Sequence, residues 1–112
     1  MPFLTIHTNA KAENVEVFTT KAAEWIAHKL HKPINYVIVT YDCKSEMCFG
    51  GKMENKGALV EMKSIGFADK RELAKELTDF LVQELKAQPN FINIEFIDMP
   101  ASTLAIGGNL MG

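Results

Sequence analysis

Hydrophobic and polar residues change period repeatedly along the chain. Residues 2–8 (PFLTIHT) alternate, with Leu4 and Ile6 on one face and Phe3 on the other, which predicts a strand. From 14 to 31 the period becomes helical, because Val15, Phe18, Ala22, Trp25, Ile26 and Leu30 recur three or four apart. Asn14 is placed to cap that helix, and Pro33 stops it. Lys29, His31 and Lys32 lie near its negative end. Residues 36–42 hold the β-branched run VIVT and predict a second strand. The Gly-rich stretch MCFGGKMENKG (47–57) reads as a loop or a bulged hairpin. Residues 58–64 predict a third strand. Asp69 followed by Glu72 makes a capping box. Leu73, Leu77, Phe80, Leu81 and Leu85, with Ala74 and Val82, stripe the next helix, and Pro89 again lies beyond its end. Residues 91–97 (FINIEFI) predict the last long strand; the tail STLAIGGNLMG is short and apolar.

The two halves echo each other at a shift of 56, about 1–56 against 57–112. PINYVIVTYD and PNFINIEFID share their proline, an isoleucine (Ile38, Ile94) and the closing aspartate. Each half reads strand, helix, strand. Two βαβ units with right-handed crossovers make an α/β (α+β) fold, a four-stranded mixed sheet with two helices on one face. The strands read as apolar on both faces, 36–41 above all. The uncovered face then has to be buried, and a second copy of the chain is the expected partner.

A length of 112 residues is enough for one domain with a real core. The 47% hydrophobic and 23% charged content is ordinary for a globular chain. A net charge of −2 argues against nucleic acid or an anionic membrane surface as partner. No apolar run is long enough to span a bilayer and no signal peptide is visible, so a cytoplasmic location is expected, or secretion by a leaderless route. Cys43 and Cys48 are not spaced as CxxC, and His7, His28 and His31 are scattered, so no metal set is expected. A buried reduced thiol plus a strand-end thiol is the simplest reading, with a Cys43–Cys48 disulfide as the alternative. No GxGxxG or P-loop is present, and no cofactor is implied.

Pro2 has two readings. Proline gives no N–H to a sheet and is tolerated at a strand's first residue. Methionine before a small residue is also commonly trimmed, which leaves a free secondary amine on a rigid ring.

MP at the start, TN at 8–9, KP at 32–33, MCFGG at 47–51, SIG at 64–66 and IDMPA at 97–101 together resemble the macrophage migration inhibitory factor family of the tautomerase superfamily. The resemblance spans nearly the whole chain. It implies two βαβ units per subunit, a homotrimer, and cofactor-independent keto–enol tautomerase activity on small aromatic keto or enol acids of the phenylpyruvate or dopachrome type. The family's processed proline base falls on Pro2, and its substrate-binding lysine on Lys32. Its Ser-Ile pair falls on Ser64 and Ile65, at the end of the strand beside Pro2. An α-amine titrates near pH ~8, and an apolar pocket and a neighbouring cation both disfavour its charged form. Pro2 would then be neutral near pH 7 and able to move a proton between carbon and oxygen.

The chain departs from the family pattern at its expected pocket wall. A tyrosine and an asparagine from the adjacent subunit are usual there; Asn93 and Glu95 stand in their places. Asn93 still donates a hydrogen bond but offers no aromatic wall, and Glu95 sets a carboxylate near an anionic substrate. Ile106 and Met111 replace aromatic residues near the C-terminus and keep the rim apolar. GALV (57–60) replaces the CxxC of some members, so no redox activity is carried over. Read without the resemblance, Lys32 is a helix-end cation, Ser64 and Ile65 end a strand, and Glu95 is an exposed strand residue. Two functions stay open: an isomerase using Pro2, and a secreted cytokine or cytokine mimic that binds a cell-surface receptor with a vestigial pocket. A scaffold without pocket chemistry is a third.

Overall fold

Alternation along Phe3–Thr8 sends Leu4, Ile6 and Thr8 to one side of strand β1, where all three are buried. The computed structural model describes residues 2–112; the expected trimming concerns Met1, which lies outside them. Helix α1 covers Val15–Leu30 and buries Phe18, Ala22, Ile26 and Leu30, one side of a 3.6-residue period. Val15, at the edge of that stripe, is exposed. Asn14 Oδ1 accepts the Val17 N–H at 3.1 Å, as the sequence predicts for a cap. Left-handed His31 ends the helix before Pro33 is reached. A 3-10 turn, Ile34–Tyr36, leads into β2 (Ile38–Cys43). The second unit repeats the plan with β3 (Ala58–Ser64), α2 (Lys70–Leu85), a 3-10 turn at Pro89–Phe91 and β4 (Ile92–Asp98).

Asp69 caps α2 by accepting from both Arg71 N and Glu72 N. The return half of the capping box, from Glu72 to the Asp69 N–H, is not among the bonds of the described residues. The structural offset between the units is 55 at both helices and their caps, from Asn14 to Asp69 and from His31 to Lys86, one less than the proline spacing suggests.

The strands form one mixed sheet in the order β2-β1-β3-β4. The β1–β2 and β3–β4 pairs are parallel and the central β1–β3 pair is antiparallel. Both helices cover one face, where Leu4, Ile6, Val60 and Met62 meet Ile26, Leu77 and Leu81. Trp25 and Phe18 both pack on Phe80, which ties α1 to α2. Lys21–Glu84 (2.9 Å) and Lys29–Glu76 (2.8 Å) bridge the helices at the surface. Exposed pairs of this kind are worth about 0–1 kcal/mol, so the apolar contact sets the packing.

The expectation of a second fully apolar face is corrected. Register places three rows across the open face. Ile38, Phe3, Lys63 and Ile97 form the first, Thr40, Thr5, Glu61 and Glu95 the second, and Asp42, His7, Leu59 and Asn93 the third. Only the first row is mainly apolar. Pleating sends alternate residues to opposite faces, and the alternate residues of β1, β3 and β4 are largely polar. The apolar density of 36–41 is spent on the helix side through Val37, Val39 and Tyr41. Both cysteines are free thiols and both are exposed, so neither a disulfide nor a buried thiol is found. The C-terminal tail makes a two-stranded sheet of its own, β5 (Ala105–Ile106) with β6 (Asn109–Leu110), beyond a 3-10 turn at Ala101–Thr103.

Candidate active site

Pro2, Lys32, Ser64 and Ile65 lie at one end of the sheet. Parallel pairing of β1 with β2 and antiparallel pairing with β3 put the start of β1, the start of β2 and the end of β3 side by side. The Pro2 carbonyl accepts the Ile38 N–H at 3.1 Å, so the residue is held like a strand residue although it donates nothing. Pro2 and Ser64 are both fully buried, and both belong to the helix-facing layer. Ser64 C=O accepts from Met99 N at 2.8 Å, which locks the β3 end to the chain leaving β4. Ile65 follows, half-buried.

Lys32 is half-buried just beyond α1, with its N–H on the Ala27 carbonyl at 3.0 Å. Its ammonium forms no ion pair among the described residues. A cation left unpaired in this way is available to an anionic group.

Asn93 and Glu95 are not brought to this end. Asn93 pairs beside Leu59 and Glu95 beside Glu61, whereas Asp98 is the β4 residue beside Ser64. Five residues of strand separate Asn93 from that level, about 16 Å at 3.3 Å each. Their side chains also project from the open face, opposite to Pro2 and Ser64. A single chain therefore assembles half of the expected constellation, and Asn93 and Glu95 can reach a Pro2 only from another copy. Ile106 and Met111 are half-buried in the tail, where Met111 N–H donates to Leu104 C=O at 2.9 Å. That tail leaves from the Pro2 end of the sheet, since β4 ends there.

A cleft of about 300 Å³ lies between the end of α1 and the start of α2, lined by His28, Lys29, His31, Asp69, Glu72 and Glu76 among others. None of the eight expected site residues lines it. No group of three or more His, Cys, Asp or Glu side chains among the described residues is arranged to hold a metal. No helix among them is long and apolar enough to cross a membrane.

The sequence reading gave TN at 8–9 no role. Asn9 is buried and organises the loop before β3: its Nδ2 donates to Asn55 C=O at 2.8 Å, and its Oδ1 accepts from Gly57 N at 3.1 Å. Thr8 Oγ1 also donates to the Gly57 carbonyl. Polar residues directly after an alternating strand were the available signal, and their partners lie nearly fifty residues away.

The family model for macrophage migration inhibitory factor (MIF) matches residues 1–112. This chain belongs to the MIF family. It is 35% identical to a macrophage migration inhibitory factor homolog of Brugia malayi over 116 residues, covering 100% of both chains. It is 33% identical to the homolog of Wuchereria bancrofti over the same span. Among solved structures, the MIF homologue of Prochlorococcus marinus matches with a TM-score of 0.89 at 27% identity, over 98% of this chain and 99% of that one. The MIF of Trichinella spiralis matches at 0.87, also 27% identical, over 96% of this chain and 98% of that one. The four-stranded mixed sheet with two helices is the MIF fold.

Proposed function

We propose that this MIF-family chain, once Met1 is removed, is a cofactor-independent keto–enol tautomerase of small aromatic keto or enol acids, working as a homotrimer with Pro2 as its base. The observation that carries this reading is the position of Pro2: buried at the sheet end beside Ser64, with the unpaired Lys32 at the same end. Burial disfavours the protonated amine and keeps a fraction neutral near pH 7. The neutral amine takes the enol proton from oxygen and returns a proton to the adjacent carbon, with no net change in the enzyme. Lys32 binds the substrate carboxylate. Ile65 presents backbone groups, Ile106 and Met111 keep the rim apolar, and Asn93 and Glu95 reach it from a neighbouring copy. Homotrimer formation is supported by the location of Asn93 and Glu95, which cannot meet Pro2 within one chain, and by the apolar row of Ile38, Phe3 and Ile97.

Phenylpyruvate tautomerisation, followed by ultraviolet absorbance on protein whose intact mass shows loss of Met1, tests the reading. Turnover that collapses in Pro2→Gly is the expected result. Absence of turnover above buffer in the processed wild type overturns it. A second reading, receptor binding by a secreted cytokine or cytokine mimic, is favoured by one observation: Glu95 stands directly beside Glu61 on the open face. That doubled negative charge is poorly suited to an anionic substrate. Receptor binding that survives Pro2→Gly would support it.

A further inference from the structure

Ser64 Oγ is buried and has no hydrogen-bond partner among the described residues. A hydroxyl buried in this way is costly and calls for an explanation. Its position supplies one. Continuing the β1–β3 register one residue outward from Phe3↔Lys63 sets Pro2 opposite Ser64. The Ile38 N–H binds the Pro2 carbonyl, so that carbonyl and the ring Cδ, which stands where an amide hydrogen would, face β2, and the hydrogens gained on loss of Met1 are left to the β3 side. Pro2 and Ser64 are then a non-hydrogen-bonded antiparallel pair, the kind whose Cα atoms approach to about 4.5 Å and whose side chains are closest. Both side chains lie in the helix-facing layer. While Met1 is attached, the Pro2 nitrogen is an amide with no hydrogen to give. Removal of Met1 creates the N–H groups that an unpartnered acceptor could take.

We infer that Ser64 is a positioning residue whose hydroxyl accepts a hydrogen bond from the protonated Pro2 amine, holding the ring in place after it has taken the substrate proton. This rests on the reading of Pro2 as the base. The hydroxyl favours the charged amine, offsets part of the effect of burial, and keeps the base strong enough to accept a proton. The charged or titratable groups at this end of the sheet are His28, Lys29, His31 and Lys32 at and after the end of α1, Tyr36 before β2, Lys63 on β3, Asp69, Lys70, Arg71 and Glu72 at the start of α2, and Asp98 at the end of β4. All of them are unchanged in Ser64→Ala, so a difference between the two proteins reports the hydroxyl.

The test is the pH dependence of Pro2 alkylation by 3-bromopyruvate, read by mass spectrometry on wild type and Ser64→Ala that have both lost Met1. It needs no turnover. The expected result is an apparent pKa of Pro2 lower by about one unit in Ser64→Ala, the effect of losing one hydrogen bond to a charged group. Above the Pro2 pKa the thermal midpoint should hold, because the hydroxyl then has no charged amine to bind; below it the variant should be the less stable of the two. An unmoved pKa overturns the role of Ser64 and leaves the base intact. Failure of wild-type Pro2 to titrate or to react overturns the base itself, and this inference with it.

Discussion

Asn9 and Gly57 hold each other across the end of the sheet: the Asn9 side-chain oxygen accepts the Gly57 N–H at 3.1 Å, and both residues are buried. The same amide binds Asn55 C=O through its nitrogen. One side chain thus satisfies backbone groups of a loop whose own contacts are the isolated bridge Phe49↔Lys52 and the Asn55 Nδ2–Phe49 C=O bond at 2.8 Å, among the described residues. The anchor sits directly before β3, whose far end carries Ser64.

Asn9→Ala should destabilise the protein by about 2–3 kcal/mol, because it strands a buried N–H and a carbonyl. Gly57→Ala should cost a comparable amount or more for a different reason. A Cβ there would clash with Phe91 O and lie 2.7 Å from Phe91 Cβ and 2.9 Å from a Phe49 ring carbon, and backbone has to move. Urea denaturation midpoints check both; a loss below about 0.5 kcal/mol in either, the range of an ordinary surface change, would contradict the anchor.

The Tyr41 hydroxyl accepts the Ala12 N–H at 2.9 Å and donates to Ala10 C=O at 3.0 Å. Tyr41→Phe leaves both groups unpaired in a buried segment and should cost about 1–3 kcal/mol. Burial, aided by the neighbouring Cys43, pushes the phenol above its ordinary value of 10.0, against the opposing bond from Ala12. The fold therefore keeps a proton that the unfolded chain releases above pH 10.0. Stability from this site is complete below that pH and is lost as pH rises through the higher folded value. Unfolding free energies measured from pH 8 upward should fall more steeply for wild type than for Tyr41→Phe.

Glu61 and Glu95 are side-by-side partners on parallel strands and share the open face. Glu95→Gln removes a like-charge contact and should stabilise the protein by roughly 0.2–1 kcal/mol. Raising the salt concentration should shrink that gain, since exposed charges are screened. If the tautomerase reading holds, KM for phenylpyruvate should also fall, by up to about fivefold for a full unit of Coulomb energy near 1 kcal/mol. A KM that does not move would place Glu95 away from the bound carboxylate.

Much of the secondary structure was legible in the chain because its causes are local. The four-residue spacing of Phe18, Ala22, Ile26 and Leu30, and of Leu73, Leu77, Leu81 and Leu85, matches a helical face, and these eight are the buried residues of the two helices. Asn14 and Asp69 cap through atoms two or three residues away, so composition alone revealed them. The apolar density of 36–41 does not by itself set the polarity of the open face, because Val37, Val39 and Tyr41 turn to the helix side. The side on which each residue lands depends on pleat and on the neighbour strand, and Thr5, His7, Glu61 and Lys63 fill the open side of the two central strands.

The candidate site divides the same way. Sequence by itself determined the helices, their caps, the strand segments and, through motifs in register, the family, and it proposed Pro2, Lys32, Ser64 and Ile65 as candidates. Tertiary structure alone decided the β1–β3 register, that the Ser64 hydroxyl has no partner among the described residues, that Asn9 carries the loop, and that Asn93 and Glu95 occupy the other face. The physical reason is the range of the interactions. Helical periodicity and capping act over about four residues. Strand order and register are set by pairings between residues tens of positions apart, such as Phe3 with Ile38 and with Lys63, and no local pattern encodes which strand comes to lie beside which.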